Sequence, residues 1–175
     1  QFYYNFSGTT PGGTSPWMTA TFDDSYGGPN TVRLTMSTAN LVSLEFASQV
    51  YFNFDSVLDP AGLTFAVVNN SDSVPNSINT GIDSFKADGD GYYDINFDFP
   101  PPPGEFAAKF TTGEMVVYDI TYTSAISASS FNFLSEPGGG TGVFKSAAHI
   151  QGINGGGASD WIGTTTVVPE PISST

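Results

Sequence analysis

Tyr93-Asp94-Ile95-Asn96-Phe97-Asp98-Phe99 sets four apolar side chains against three polar ones in strict alternation. A two-residue period sends successive side chains to opposite faces, so the stretch reads as a half-buried β-strand. The pattern recurs on either side of it. Val32, Leu34 and Met36 alternate with Thr31, Arg33 and Thr35; Met18, Ala20 and Phe22 alternate with Thr19, Thr21 and Asp23. Val50, Phe52 and Phe54 alternate with Tyr51, Asn53 and Asp55. Further strands are expected near residues 41–46, 63–68, 114–122, 130–134, 148–153 and 161–167. Turn formers such as Gly27-Gly28-Pro29-Asn30, Asp59-Pro60-Ala61-Gly62 and Pro137-Gly138-Gly139-Gly140 separate them. No segment holds a 3.6-residue apolar stripe, and residues 105–110 and 145–149 read as a helical turn or two each. About ten short strands at this spacing predict an all-β fold with little helix. The expected form is a single antiparallel β-sandwich, jelly-roll or immunoglobulin-like, with a closed barrel as the alternative.

The chain has 175 residues, enough for one substantial core and too few for two. Fifteen Phe, eight Tyr and two Trp within a 39% hydrophobic composition exclude a disordered polymer. Four basic residues (Arg33, Lys86, Lys109 and Lys145) against 17 acidic ones give a net charge of −13. Nucleic acid is therefore not an expected partner, because phosphate affinity needs clustered Lys and Arg. With no Cys, disulfides and thiolate metal sites are excluded. No apolar run approaches the roughly 18–20 residues of a membrane-spanning helix, so no span is expected in the chain as given. Pro100-Pro101-Pro102-Pro103 ends the Tyr92–Phe99 strand, since proline cannot donate to a ladder. It reads as an extended segment that blunts a sheet edge.

Near the C-terminus, Val167-Val168-Pro169-Glu170-Pro171-Ile172 places a Pro-Glu-Pro triplet after a β-branched run. It resembles the start of a PEP-CTERM sorting signal, which the bacterial exosortase system processes during export. The body of the chain resembles a group of PEP-CTERM proteins of unknown biochemical role. The resemblance rests on Val50-Tyr51-Phe52-Asn53-Phe54-Asp55, Leu58-Asp59-Pro60-Ala61-Gly62-Leu63 and Phe85-Lys86-Ala87-Asp88-Gly89-Asp90-Gly91-Tyr92-Tyr93. Ser130-Phe131-Asn132-Phe133-Leu134 and Ala148-His149-Ile150-Gln151-Gly152-Ile153 extend it. It implies a secreted or cell-surface life and brings no catalytic residues. On this reading Gln1 follows a cleaved leader, and residues 169–175 are the remnant of a signal whose anchor has been removed. The expected organisation is a terminal strand and leash over 1–16, a sandwich over 17–168 and that remnant.

One turn carries possible metal chemistry. Asp88, Asp90 and Asp94, with Gly89 and Gly91 between them, could wrap a Ca2+ ion, which takes six to eight oxygens in flexible geometry. An EF-hand register fails, because it puts Lys86 at the first loop position and Phe97 at the twelfth. A non-helical turn with Asp83 or Asn96 as a further ligand is one reading, and a plain acidic turn is the other.

Catalytic signatures are thin, and no enzyme activity is expected. His149 is the single histidine and has no nucleophile elbow beside it. Glu45, Glu105 and Glu114 are available for a two-carboxylate glycosidase, but no feature pairs them. The glycine runs 138–140 and 155–157 lack the Lys of a phosphate loop. Trp17, Trp161, Tyr3, Tyr26, Tyr51, Tyr92 and Tyr122 could offer flat platforms to sugar rings, although most aromatics of a sandwich fill its core. Phe2, Tyr4 and Phe6 share one face of a strand-forming start, followed by a Gly/Pro-rich leash over 8–16. That combination suits a strand donated to the next subunit. The leading expectation is an extracellular structural protein that self-associates into a filament or matrix by β-strand donation. The alternative is a secreted monomer bound to extracellular polysaccharide.

Overall fold

The computed structural model describes residues 1–69, 72–100, 109–140 and 142–164. Among the described residues there are eleven strands: β1 (Phe2–Gly8), β2 (Thr19–Asp23), β3 (Thr31–Ser37), β4 (Phe46–Phe52), β5 (Thr64–Asn69) and β6 (Ser77–Lys86). They are followed by β7 (Tyr92–Asp98), β8 (Phe110–Thr111), β9 (Met115–Thr121), β10 (Ser146–Ile153) and β11 (Ala158–Thr164). One sheet runs β1-β11-β10-β4-β7-β6, with β8 continuing beside β4, and the other runs β2-β3-β9-β5. Every pairing is antiparallel. The fold is the expected β-sandwich. Helical structure among the described residues is limited to 3-10 turns at Pro60–Gly62, Ala128–Phe131 and Asn154–Gly156. Among the described residues no helix is long and apolar enough to cross a membrane.

Alternation explains the core. Val32, Leu34 and Met36 of β3 lie opposite Ile120, Tyr118 and Val116 of β9 and form the inner face of the smaller sheet. Val50 and Phe52 of β4 and Ile95 and Phe97 of β7 answer them from the larger sheet. A second cluster lies on the outer face of the larger sheet. There Tyr51, Tyr93, Ala147 and Trp161 are buried, with Phe6 and Phe85 packed against them. Burial pushes the Tyr51 phenol up to about 12, with the nearby Asp98 carboxylate adding to the rise.

The first strand departs from expectation. β1 pairs along its length with β11 of its own chain, so the donated strand expected from the sequence is satisfied at home. Nor do its aromatics share a face. Register shifts between Phe2 and Tyr4 and between Asn5 and Ser7 each insert an extra residue, and one inserted residue reverses the facing of every later side chain. Phe2 enters the core with no exposed area, while Tyr4 and Phe6 turn outward onto Phe144 at centroid distances of 5.7 and 4.5 Å. The Phe144 ring lies over Gly163, where a Cβ would come within 2.8 Å of it. Glycine there leaves the hollow that the ring fills.

Three local readings are corrected, and a fourth lies mostly outside the described residues. Residues 41–45 form a turn rather than a strand, with the Glu45 carboxylate accepting from the amides of Gly12 and Val42. The expected strand over 130–134 is replaced by the Ala128–Phe131 turn, which drops Phe131 into the core. The expected helical turn at 145–149 gives way to β10, which has a partner strand on both sides. In the 105–110 segment Phe110 starts β8, and residues 105–108 lie outside the described residues.

Candidate functional site

The Asp-Gly turn joins β6 to β7 through left-handed backbone at Asp88, Gly89 and Gly91 (φ 47°, 91° and 118°). Its three carboxylates serve three different places. Asp88 is exposed and accepts from the Ser7 hydroxyl of β1. Asp90 is buried and accepts from the Gly142 amide at 3.2 Å. Asp94 accepts from the Phe54 amide at 2.8 Å and the Asp83 amide at 2.9 Å, capping β4 and the irregular middle of β6. The expected Asp88–Asp90–Asp94 grouping is thus not assembled, and among the described residues no three metal-ligating side chains are gathered for an ion.

Asp83 comes to Asp94 from the other side of that irregularity. Burial raises its pKa, and the neighbouring Asp94 and Glu136 carboxylates raise it further. Asp55, Asp83, Asp94 and Glu136 border a cleft of about 160 Å³. The fifth oxygen donor weighed for the turn, Asn96, is buried elsewhere on the outer face opposite Tyr51.

His149 stacks on Trp161 at 4.8 Å, and its Nδ1 lies 3.2 Å from the Ser48 hydroxyl. Burial lowers its pKa, and Asp88 opposes that shift. Ser48 is itself buried and His149 is half-buried. Glu114 accepts from the Thr111 amide and hydroxyl, and Glu45 caps its own turn. Each carboxylate is thus taken up by nearby amides, and Glu105 lies outside the described residues, as do Pro169, Glu170 and Pro171.

A groove opens between the sheets at the β1/β2 edge, with a volume of about 530 Å³, within the range small ligands occupy. Gln1 and Tyr3 enter from β1, Ala20 and Phe22 from β2, Ala128, Ser129 and Phe131 from the 3-10 turn, followed by Asn132. Lys145, Ser146 and Thr164 close it at the ends of β10 and β11. Phe22 and Phe131 stack face to face, 4.6 Å apart and 8° from parallel, and give it an aromatic floor. Tyr3 is 41% exposed on its rim. The Lys145 and Ser146 amides are held by the Thr164 hydroxyl, and the Ala128 amide by Asp24. The arrangement offers flat apolar surface ringed by amide, hydroxyl and ammonium groups.

Sequence reasoning missed this groove because its walls come from five separated stretches of chain. Tyr3 was its one legible member. Of the other aromatics named from the sequence, Trp17, Tyr51 and Trp161 are buried, Tyr92 and Tyr122 are half-buried, and Tyr26 is exposed under the Arg33 guanidinium at 4.0 Å. Compared with family models, with curated proteins and with solved structures, the chain matches none.

Proposed function

We propose that this protein is a secreted, non-enzymatic polysaccharide-binding module that works as a monomer in or on an extracellular bacterial matrix. The groove at the β1/β2 edge carries the reading. Sugar rings have apolar C–H faces and polar edges, so they need flat aromatic surface bordered by hydrogen-bonding side chains. Tyr3 and the half-buried Phe22, backed by Phe131, supply the first, and Gln1, Asn132, Ser129 and Lys145 the second. The Pro169-Glu170-Pro171 resemblance supports export. Home pairing of β1 favours this reading over assembly by strand donation.

Calorimetric titration against a panel of soluble polysaccharides tests it. At least one should bind, and Tyr3→Ala should weaken that binding about fivefold, since one aromatic contact contributes about 1 kcal/mol. A panel without a binder, or a Tyr3→Ala protein that binds as well as its parent, would sink the proposal. A second reading, a self-associating matrix subunit, draws on β5. Thr64-Phe65-Ala66-Val67-Val68-Asn69 is an uncharged outer strand of its sheet, with Val67 51% and Val68 46% exposed. Such an edge is a template for another strand.

A further inference from the structure

The groove differs in charge from the rest of the molecule. The chain has 17 acidic side chains and four basic ones, yet among the described residues none lining the groove is acidic and one, Lys145, is basic. Asp24, close by in the chain of contacts, turns its carboxylate to the Ala128 amide and does not line the groove. The other cations have partners: Arg33 is paired with Asp119 at 2.9 Å, Lys86 rests over Tyr92 and Lys109 over Phe46. Lys145 has no ion pair among the described residues.

We infer that the groove takes a carboxylated glycan, a polymer containing uronic acid, with its carboxylate on the Lys145 ammonium and a ring face on the Tyr3 side. This deepens the proposed function and rests on it. Lys145 is half-buried and, among the described residues, is the one cation lining the groove, so a carboxylate placed there meets complementary charge that a neutral sugar cannot use. A sugar carboxylate supplies an ion-pair partner, and its ring hydroxyls meet the amide of Asn132 and the hydroxyl of Ser129. The net charge of −13 repels such a polymer at long range. At physiological ionic strength that field fades within about 8 Å, so local charge decides the contact.

The test compares an oligogalacturonide with a neutral cello-oligosaccharide of equal length, using the full chain. The parent should prefer the oligogalacturonide. Lys145→Gln should weaken that ligand roughly fivefold, the scale of one partly exposed ion pair, and leave the neutral one unchanged. Lys145→Arg should restore the preference, and Tyr3→Ala should weaken whichever ligand binds. Circular dichroism confirms the fold of each variant. Equal binding of both ligands, indifferent to Lys145→Gln, overturns the charge assignment and leaves glycan binding standing. Binding of neither, with the wider polysaccharide panel also silent, overturns the reading beneath it.

Discussion

Asp160 sits in β11 between Trp161, which faces outward, and the sandwich interior, and it has no exposed area. Neither carboxyl oxygen has a well-formed hydrogen bond. Burial raises its pKa from 3.8 to about 7, with the nearby amides of Ser7 and Trp161 opposing the rise. A carboxyl raised in the folded state binds its proton more tightly there than in the unfolded chain. Its full contribution to stability is therefore present below pH 3.8 and lost as the pH climbs to about 7, beyond which the loss is constant. The ceiling on that loss is on the order of 4 kcal/mol. Asp160→Asn keeps the shape and removes the charge. It should stabilise the protein above pH 7 by up to a few kcal/mol and change little near pH 4, read from urea unfolding at each pH. A difference that stays flat with pH would show that Asp160 is not ionising inside the fold. Asp94 illustrates the opposite solution, since its carboxylate faces two amide donors.

Among the elements, β1 is the most informative. Its first ring fills the core, and its later ones decorate the outer face, so substitutions along it should differ sharply in effect. Phe2→Ala should cost about 3–5 kcal/mol of unfolding free energy, the usual range for a buried Phe. Tyr4→Ala, at a site 52% exposed, should cost much less. If Phe2→Ala leaves the monomer's denaturation midpoint unmoved, β1 is not part of its own domain. The two bulges explain why reading Phe2, Tyr4 and Phe6 as one face failed: alternation is a property of an unbroken ladder, and a bulge has no clear mark in the sequence. β3, β4, β7 and β9 were legible because apolar side chains on their inner face alternate with polar or amphipathic ones, even though the outer faces of β4 and β7 are also buried. β6 was missed. Its Gly81 and Asp83 interrupt the pattern where its pairing with β7 slips between Thr80 and Phe85, and much of its surface is polar. The expected strand over 148–153 is the greater part of β10, and the small side chains of Ser146 and Ala147, which carry little hydrophobic signal, hid its start. As for the site, adjacent acids in sequence suggested a cluster at Asp88–Asp94, but donors from distant segments claimed each one separately. The groove needed the fold itself to gather its walls.

At the scale of the whole molecule, charge and edge pairing oppose each other. A net charge of −13 keeps copies apart, while the uncharged outer strand β5 invites a partner. Salt screens the repulsion and leaves backbone hydrogen bonding nearly intact. Sedimentation velocity should therefore show a monomer at low ionic strength and growing association in concentrated salt. Val67→Lys should hold the protein monomeric, because a lysine on an edge strand blocks further pairing. Association unaffected by Val67→Lys would place the contact elsewhere.

The pairing of Phe2 with Thr164 brings the start of β1 and the end of β11 to the same end of the larger sheet, beside the groove. A pull applied between those two points would not drag one strand lengthwise past the other. It would part the ladder from one end, loading its hydrogen bonds in succession, as a zipper opens. A protein tethered through its C-terminal end and tugged by its N-terminal one would yield at low force, shedding β1 first and uncovering the Phe2 cavity. Held by its N-terminal end but loaded through the far loop around Asn154–Gly156, it would place β1 in shear against β11, where many bonds must fail together.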